Sequence, residues 1–210
     1  MGSDVRSEAD ILREGAAQLG IALSPEQQSR MMEYLALMQK WNKVYNLTAI
    51  RSGSEMVIHH LLDSMAVLPH LWGRKWLDVG CGAGLPGVVL AILRPDWEFT
   101  LLDSNSKKTG FVQQVAIQLE LKNLTVHTGR VEDWDVETRF DGIISRAFTE
   151  LGNFFRLTEH LLAPQGRWAA MKGKQDEKLP QGYQIDRVIA LQVPNLDASR
   201  SLVIASKKGS

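Results

Sequence analysis

The sequence contains a single cysteine, Cys81, among its 210 residues. One thiol cannot form a disulfide within the chain, and this usage fits a reducing cytoplasm. The sequence also lacks a run of about 18 or more uncharged apolar residues, so we expect no membrane-spanning helix. Residues 1–4 are not followed by the apolar stretch of a secretory signal. These absences together predict a cytoplasmic protein.

The chain also has no formal net charge, because its 24 Lys and Arg residues balance its 24 Asp and Glu residues. A neutral chain is a poor candidate for holding nucleic acid by bulk charge alone, although a local basic face can still bind it. Apolar residues make up 44% of the chain, which is ordinary for a protein with a hydrophobic core. The length suits one α/β domain with an added helical piece.

Glycine, in contrast, is concentrated in one stretch. Residues 76–79 are predicted to form a short buried strand, and Pro86 followed by the apolar residues 88–93 predicts a helix. Between them, glycines allow the backbone to turn sharply and to approach a ligand closely. They are Gly80, Gly82, Gly84 and Gly87. A strand, a glycine loop and a helix N-terminus in this order predict a nucleotide-like ligand at the carboxyl edge of a parallel sheet.

The rest of the pattern divides the chain into two parts that we expect to form one compact unit. Residues 1–71 are predicted to be a helical extension, and residues 72–210 an α/β domain. In the extension, helices are predicted over residues 5–19 and 25–43, the second with a capping box at Ser24 and Gln27. A third is predicted from a start signal at residues 52–55 to residue 68. In the domain, strands are predicted at residues 76–79, 99–102, 125–127, 142–145, 167–171, 185–193 and 202–205, and helices at residues 86–93, 107–119 and 151–161.

The order of these elements predicts the fold. Apolar strands separated by helices imply parallel pairing with right-handed crossovers. The last two strands have no helix between them and therefore predict an antiparallel hairpin at the sheet edge. The predicted fold class is α/β, a Rossmann-like class I methyltransferase fold. It combines a mostly parallel seven-stranded sheet, an antiparallel edge strand and the N-terminal helical extension.

The spacing Gly82-x-Gly84-x-x-Gly87 also fits a dinucleotide fingerprint, so an NAD(P) oxidoreductase has to be weighed. Asp78 stands two residues before Gly80, where a carboxylate would repel a pyrophosphate on the same loop. Asp103 ends the next strand and suits the two hydroxyls of a ribose in either ligand. Glu132 follows the third strand in a further acidic turn. Carboxylates at three successive strand ends favour a ligand without phosphates, S-adenosylmethionine.

Six segments of the sequence resemble one family of enzymes. They are residues 40–48, 60–64, 78–87, 101–104, 130–132 and 140–148. The most specific are Trp-Asn-Lys-Val-Tyr-Asn-Leu-Thr in the first and Ile-Ser-Arg-Ala-Phe in the last, whereas the glycine loop alone indicates only a methyltransferase. The family is that of the bacterial small-subunit ribosomal RNA guanine-N7 methyltransferases, also called glucose-inhibited division protein B. The chain resembles it over nearly its whole length.

The resemblance implies an enzyme that methylates N7 of a single guanine of 16S ribosomal RNA, at position 527, with S-adenosylmethionine as cofactor. We expect a monomer that finds this RNA in the small ribosomal subunit or an assembly intermediate. In the family, donor contacts fall on positions that match Gly80, Leu85, Val131, Glu132 and Arg146. The residue chemistry adds further donor-binding candidates, which are Asp78, Gly82, Gly84 and Asp103.

The segment after the fourth strand bears on the target atom. Enzymes that methylate exocyclic amines resemble one another in an Asn- or Asp-Pro-Pro-aromatic segment at this place, whereas residues 145–148 read Ser-Arg-Ala-Phe. Guanine N7 has a lone pair and no proton, so direct in-line transfer needs positioning and no general base. Arg146 is the catalytic candidate and would hold guanine O6, a phosphate or the donor carboxylate. The alternative is an ion pair of Arg146 with Asp141 or Glu150.

No other chemistry is indicated. His59 and His60 lack a third metal-type partner at ligand spacing, so we expect no metal ion. Cys81 is predicted to be a small loop residue and no nucleophile.

Candidates for RNA binding lie mainly before the α/β domain, where cations can bind phosphates and amides can reach base edges. They are Lys40, Asn42, Lys43 and Asn46. The alternative for this segment is a solvated helix end. Phe148 is predicted either to stack on an extruded base or to be a core aromatic, and Lys172 can add a phosphate contact. A non-catalytic RNA-binding module is the remaining rival.

Overall fold

The computed structural model describes residues 6–172 and 179–209. The extension contains α1 (Glu8–Gln18), α2 (Pro25–Tyr45), α3 (Gly53–Met56), a π-helical segment (Val57–Leu62), α4 (Asp63–Met65) and a 3-10 turn (Leu68–His70). The domain contains β1 (Lys75–Val79), α5 (Gly87–Leu93), β2 (Glu98–Asp103), α6 (Ser106–Gln118), β3 (Leu124–Thr128), a 3-10 turn (Val131–Asp133), β4 (Phe140–Arg146), α7 (Leu151–Thr158), a 3-10 turn (Glu159–Leu161), β5 (Leu162–Lys172), β6 (Tyr183–Leu191) and β7 (Arg200–Lys207).

The local signals of the extension give the expected helices with shifted ends. The predicted capping box is confirmed, because Ser24 Oγ accepts from the Gln27 N–H at 3.1 Å and Gln27 Oε1 accepts from the Ser24 N–H at 3.0 Å. The helix predicted over residues 5–19 begins at Glu8, and Val5 lies outside the described residues. The helix predicted from residues 52–55 to residue 68 begins at Gly53, as expected, but is divided into α3, the π-helical segment and α4, followed by a 3-10 turn. None of the described helices combines the length and apolarity that crossing a membrane requires.

The sheet has seven strands in the order β3-β2-β1-β4-β5-β7-β6. β1 to β5 pair in parallel, and β7 pairs antiparallel with both β5 and β6. The predicted hairpin at the edge is therefore present. The antiparallel strand, β7, lies one position in from the edge, because β7 inserts between β5 and β6. Strand β7 thus lies inside the sheet, and β6 forms this edge.

Alternating side chains along the strands serve two separate cores. In β1, Trp76 belongs to the core that contains α5 and α6, and Leu77 belongs to the core that contains α7. In β4, Ile144 belongs to the first of these cores and Ile143 belongs to the second. This period of two places helices over both faces of the central strands and leaves the strand ends as the open edges.

The helical extension shares the first of these cores. Met31 and Leu35 of α2 are at most 1% exposed, and they belong to the same buried cluster as Val88 of α5 and Phe111 of α6. The extension is therefore packed on the sheet through its apolar helix face.

Candidate active site

A cleft of 410 Å³ lies at the carboxyl edge of the sheet, where β1 to β4 end. The strand order reverses between β1 and β4, and open α/β sheets bind ligands at such a switch point. The volume falls within the range of about 300–1,000 Å³ that is usual for small-ligand sites. Five of the predicted site residues line this cleft, and they are Gly80, Asp103, Val131, Glu132 and Phe148.

The glycine loop is tied to the end of β2. The N–H groups of Gly80 and Cys81 donate to the Leu102 carbonyl at 2.8 and 3.1 Å. Gly80 has φ +67°, a left-handed conformation that side chains disfavour. A Cβ on Gly80 would also lie 2.6 Å from Cδ2 of Phe148. Glycine is thus required here both for the turn and for the space beside Phe148.

Asp103 is held in place by backbone donors. Its Oδ2 accepts from the Gly82 N–H at 2.9 Å, and its Oδ1 accepts from the Asn105 N–H at 2.9 Å. A carboxylate oxygen can accept more than one hydrogen bond. Both oxygens therefore retain capacity for donors in the cleft, such as a pair of ribose hydroxyls.

Asp78 lies beneath the loop and does not line the cleft. It is 1% exposed, and its Oδ2 accepts from the Gly87 N–H at 2.8 Å. Burial raises the pKa of Asp78, an effect that the Gly87 N–H and the charge of Arg146 oppose. Its Oδ1 is buried and has no partner among the described residues. Such an oxygen calls for a further donor, which a ligand amine or a water molecule can supply.

Three other loop residues predicted to bind the donor also lie outside the lining of the cleft. The N–H of Gly82 is directed to Asp103, and Gly84, at φ +97°, packs so closely that a Cβ would lie 2.5 Å from Val88. Leu85 is 3% exposed and belongs to the core. Gly84 and Leu85 thus face the protein, whereas a Cβ on Gly82 would meet nothing within 4 Å. The donor contacts of all three residues stay a prediction.

The turn after β3 brings a cation to the cleft that the carboxylate pattern did not predict. Val131 is 2% exposed, while Arg130 Nε donates to Glu132 Oε1 at 3.0 Å and both of these side chains are exposed to solvent. Both residues line the cleft. The cleft edge is therefore not purely acidic, although an exposed pair of this kind contributes only about 0–1 kcal/mol to stability.

Arg146 pairs with neither of the acids expected from the sequence. Its Nη1 donates to the His59 carbonyl at 3.0 Å and lies 3.6 Å from Asp63 Oδ2. Asp141 instead accepts from the backbone N–H groups of Arg74 and Lys75. Arg146 does not line the cleft, and its side chain is 28% exposed beside it.

Asp63 is a site residue that sequence reasoning missed. Its carboxylate is 2% exposed and also lies 3.1 Å from Arg200 Nε, so it bridges the ends of β4 and β7. The π-helical segment directly before Asp63 positions this residue between the two arginines. The N–H of Asp63 donates to the carbonyls of Ile58 and His60, whereas the His59 carbonyl accepts from Arg146. The signal in the sequence was an acidic residue in an otherwise apolar helix. The neighbouring residues in the sequence do not indicate which cations this residue pairs with.

The residues predicted to face RNA divide into buried and exposed ones. Asn42 is 3% exposed, and its amide closes on Thr48 by donating to the Thr48 carbonyl and accepting from the Thr48 N–H, both at 3.0 Å. Asn42 is therefore structural. Lys40, Lys43 and Asn46 are exposed, and Asn46 Oδ1 accepts from Arg51 at 3.1 Å.

The other two RNA-side candidates lie next to the cleft. Phe148 is half-buried, with its ring 6.2 Å from that of Phe154, so it is both a cleft wall and an aromatic packed on the second core. Lys172 Nζ donates to the carbonyl of Thr149, which also lines the cleft, at 3.1 Å.

Cys81 is 2% exposed, and burial raises the pKa of its thiol, which therefore stays protonated. A buried, neutral thiol is not a nucleophile. Across residues 6–172 and 179–209, no three His, Cys, Asp or Glu side chains are grouped so that they could hold a metal ion.

Comparison with known proteins adds independent findings. The model of the GidB family, described as rRNA small subunit methyltransferase G, matches residues 27–203. The ribosomal RNA small subunit methyltransferase G of Laribacter hongkongensis is 50% identical over 196 residues, 91% of this chain and 95% of that protein. Its counterpart from Pseudomonas paraeruginosa is 48% identical over 209 residues, 97% and 98% of the two chains.

Among solved structures, the glycopeptide N-methyltransferase MtfA complexed with S-adenosylmethionine has a TM-score of 0.60 at 10% identity. The match covers 71% of this chain and 88% of that one. At this identity the likeness concerns the fold, and it confirms the predicted class I methyltransferase architecture.

We expect Gly80→Ala to lower the affinity for S-adenosylmethionine about tenfold or more. The new methyl group has to displace the Phe148 ring in the cleft, and a left-handed non-glycine residue costs roughly 1–2 kcal/mol of unfolding free energy. Calorimetric titration with the donor measures this. Gly110→Ala is the control, because a Cβ there meets nothing within 4 Å and the position is helical. Equal donor affinity in both variants would contradict the role of Gly80.

The buried His60 makes stability depend on pH. Burial, and next the charge of Arg146, lower its pKa from 6.5 to about 4. The unfolded chain therefore binds this proton near pH 6.5 and the folded chain only near pH 4, so stability falls as the pH falls between these values. We expect a loss of up to about 3 kcal/mol.

Urea denaturation at pH 7 and at pH 4 measures this loss. His60→Gln should show a correspondingly shallower dependence, because Gln does not titrate. The same pH slope in wild type and variant would show that His60 is not the group responsible.

Proposed function

The chain belongs to the rRNA small subunit methyltransferase G family, and from that premise we propose that it methylates N7 of one guanine of 16S ribosomal RNA, the position called 527. The donor is S-adenosylmethionine. The observation that carries the proposal is the cleft at the ends of β1 to β4, with the carboxylate of Asp103 fixed beside the left-handed Gly80. This arrangement suits a nucleoside ligand that places no phosphate group against the glycine loop.

Two residues of the cleft and one buried carboxylate beneath the glycine loop fit this donor. Asp103 offers oriented acceptors for ribose hydroxyls, and Val131 offers an apolar surface for a purine. Asp78 Oδ1 is buried without a described partner, as expected for a group that a bound amine would satisfy. S-adenosylmethionine supplies a methyl group activated by its sulfonium. In our proposal Gly80, Gly82, Gly84, Leu85 and Glu132 complete the donor site.

The side chains around the cleft favour N7 over other target atoms. Ser145 Oγ is buried, and the segment from Ser145 to Phe148 contains no carboxamide or carboxylate that could take a proton from an exocyclic amine. Cys81 is held as a neutral, buried thiol, so the activation of a carbon by a thiolate has no candidate. N7 needs neither of these groups, because its lone pair is already available.

We propose that Arg146 positions the target guanine. The His59 carbonyl and the Asp63 carboxylate hold its guanidinium at the end of β4. A guanidinium has five N–H donors in a fixed plane, so donors remain for guanine O6 or a phosphate. Phe148, on the cleft wall, offers a face on which the extruded base can stack.

Recognition of the RNA is proposed to be shared with the ribosomal particle. The chain has a formal net charge of zero, so its affinity for naked RNA should be modest and should depend on local cations. Lys40, Lys43, Asn46 and Lys172 are the proposed contacts. We further propose that the enzyme acts in the cytoplasm as a monomer, on the small subunit or an assembly intermediate.

The direct test is the transfer of labelled methyl groups to ribosomal particles. Small subunits from a strain that lacks this gene are incubated with labelled S-adenosylmethionine and the protein, and the modified nucleotide is then mapped. We expect label at N7 of a single guanine of 16S RNA. Absence of label from the RNA would exclude the proposed methyltransferase activity. If the protein binds NAD(H) but does not bind S-adenosylmethionine, an oxidoreductase would be favoured.

Arg146→Ala is expected to lower turnover about 100-fold while changing donor affinity less than about threefold, because the loss of one preorganised donor typically costs 10²–10³ in kcat. Single-turnover kinetics and donor titration separate the two quantities. Arg13→Ala is the control, since Arg13 is an exposed arginine on α1 that pairs with Asp10. If donor binding collapses together with turnover, Arg146 belongs chiefly to the donor site.

A further inference from the structure

The C-terminal end of α2 exposes two neighbouring apolar side chains. Val44 is 71% exposed and Tyr45 is 43% exposed. The Tyr45 ring is supported from below, because its centroid lies 5.3 Å from that of Trp41, one helical turn earlier. Trp41 in turn lies 5.5 Å from the buried ring of Phe111. Tyr45 is therefore an aromatic ring that is backed by Trp41 and 43% exposed, with Lys107 Nζ lying over it at 6.0 Å from the centroid.

Contacts along α2 and α6 place this ring at the cleft edge of the molecule. Gln118 donates to Glu33 at 3.0 Å near one end, and Lys107 Nζ lies 6.0 Å from the centroid of the Tyr45 ring at the other. The two helices are thus antiparallel neighbours. α6 begins at Ser106, directly after β2 ends beside the cleft-lining Ser104. Tyr45 consequently lies at the same edge of the sheet as the donor cleft.

The two segments that form this edge are locally basic in an otherwise neutral chain. Residues 34–54 and 104–119 contain no Asp or Glu. Their cations are Lys40, Lys43, Arg51, Lys107 and Lys108. An aromatic ring with cations in the neighbouring segments is an arrangement with which proteins bind single-stranded nucleic acid, because the ring stacks on a base while the cations contact phosphates.

We propose that Tyr45 is a stacking platform for an unpaired base of the RNA substrate, flanked by Val44, with Lys107 and Lys43 as contacts for the adjacent phosphates. The inference rests on the proposed function for the identity of the RNA. It adds a subsite to it, since the platform lies on the helical extension and is distinct from Phe148 in the cleft. In this proposal the base it holds lies near the target guanine in the RNA, because Tyr45 lies at the same edge of the sheet as the cleft.

The test is equilibrium binding of the full chain to unmethylated small subunits and to a labelled single-stranded RNA oligonucleotide, at constant ionic strength. We expect Tyr45→Ala to weaken binding roughly 5- to 150-fold, which is the range for the loss of one base–aromatic stack. Tyr45→Phe keeps the ring and should stay within about twofold of wild type. Tyr45→Leu keeps an apolar side chain but has no π-face, and it should behave like Tyr45→Ala.

The charged part of the platform is tested separately by salt dependence. Lys107→Gln should reduce the slope of log K against log salt by about 0.7, the value for one phosphate contact on a single strand. Ile117→Ala is the matched control, because Ile117 is 62% exposed on the same helix α6 and has no part in the platform. It should change neither affinity nor slope.

The outcomes distinguish this inference from the proposed function. If Tyr45→Ala and Tyr45→Leu, with thermal unfolding unchanged, bind as wild type does, the platform is wrong even where the wild type methylates the particle. An unaltered salt slope in Lys107→Gln would count against the phosphate contact. If the wild type labels no RNA but Tyr45→Ala still loses RNA affinity, the platform stands and the methylation proposal fails. Tyr45-dependent binding to anionic vesicles without an effect on RNA would overturn the platform in favour of a membrane contact.

Discussion

Two carboxylates on neighbouring strands fix the glycine loop, and the geometry of the cleft depends on them. Asp78 of β1 accepts from the Gly87 N–H, and Asp103 of β2 accepts from the Gly82 N–H. Glycine loses more conformational freedom on folding than any other residue, so a loop this rich in glycine would otherwise be costly to order. Because both anchors sit on paired central strands, the loop takes its position from the sheet. A ligand then meets a surface that is already ordered, which favours affinity.

Side chains of the helical extension contact residues of the same site. Tyr34 of α2 donates its hydroxyl to the Ala83 carbonyl in the glycine loop at 2.6 Å, and burial raises the pKa of Tyr34 so that it stays a donor. Asp63 holds Arg146 at the end of β4. The extension therefore supports both the glycine loop and the arginine that we propose to position the target. This explains why the extension shares a core with the domain instead of being joined by a linker.

The features that were predictable from the sequence are those whose cause is local. The capping box joins Ser24 to Gln27, three residues apart, and the strand–loop–helix order at Gly80 is likewise contained in one short segment. Asp63 and Arg200 are separated by 137 positions, and only the packed sheet brings them together. The burial of Asn42 was unpredictable for a related reason. Its segment looks exposed by composition, but the turn after α2 folds back and uses its amide on Thr48.

The pairing around Asp63 also bears on the chemistry. A lone carboxylate that is 2% exposed would be strongly disfavoured, and Arg146 and Arg200 together supply two positive charges against its one. The cluster thus keeps one formal positive charge next to the cleft. A surplus cation would oppose the protonation of a nearby base, but it suits an electron-rich acceptor such as guanine O6 or a phosphate. The electrostatics at the end of β4 therefore suit a group that holds an acceptor of the target, such as guanine O6, and do not suit a group that removes a proton.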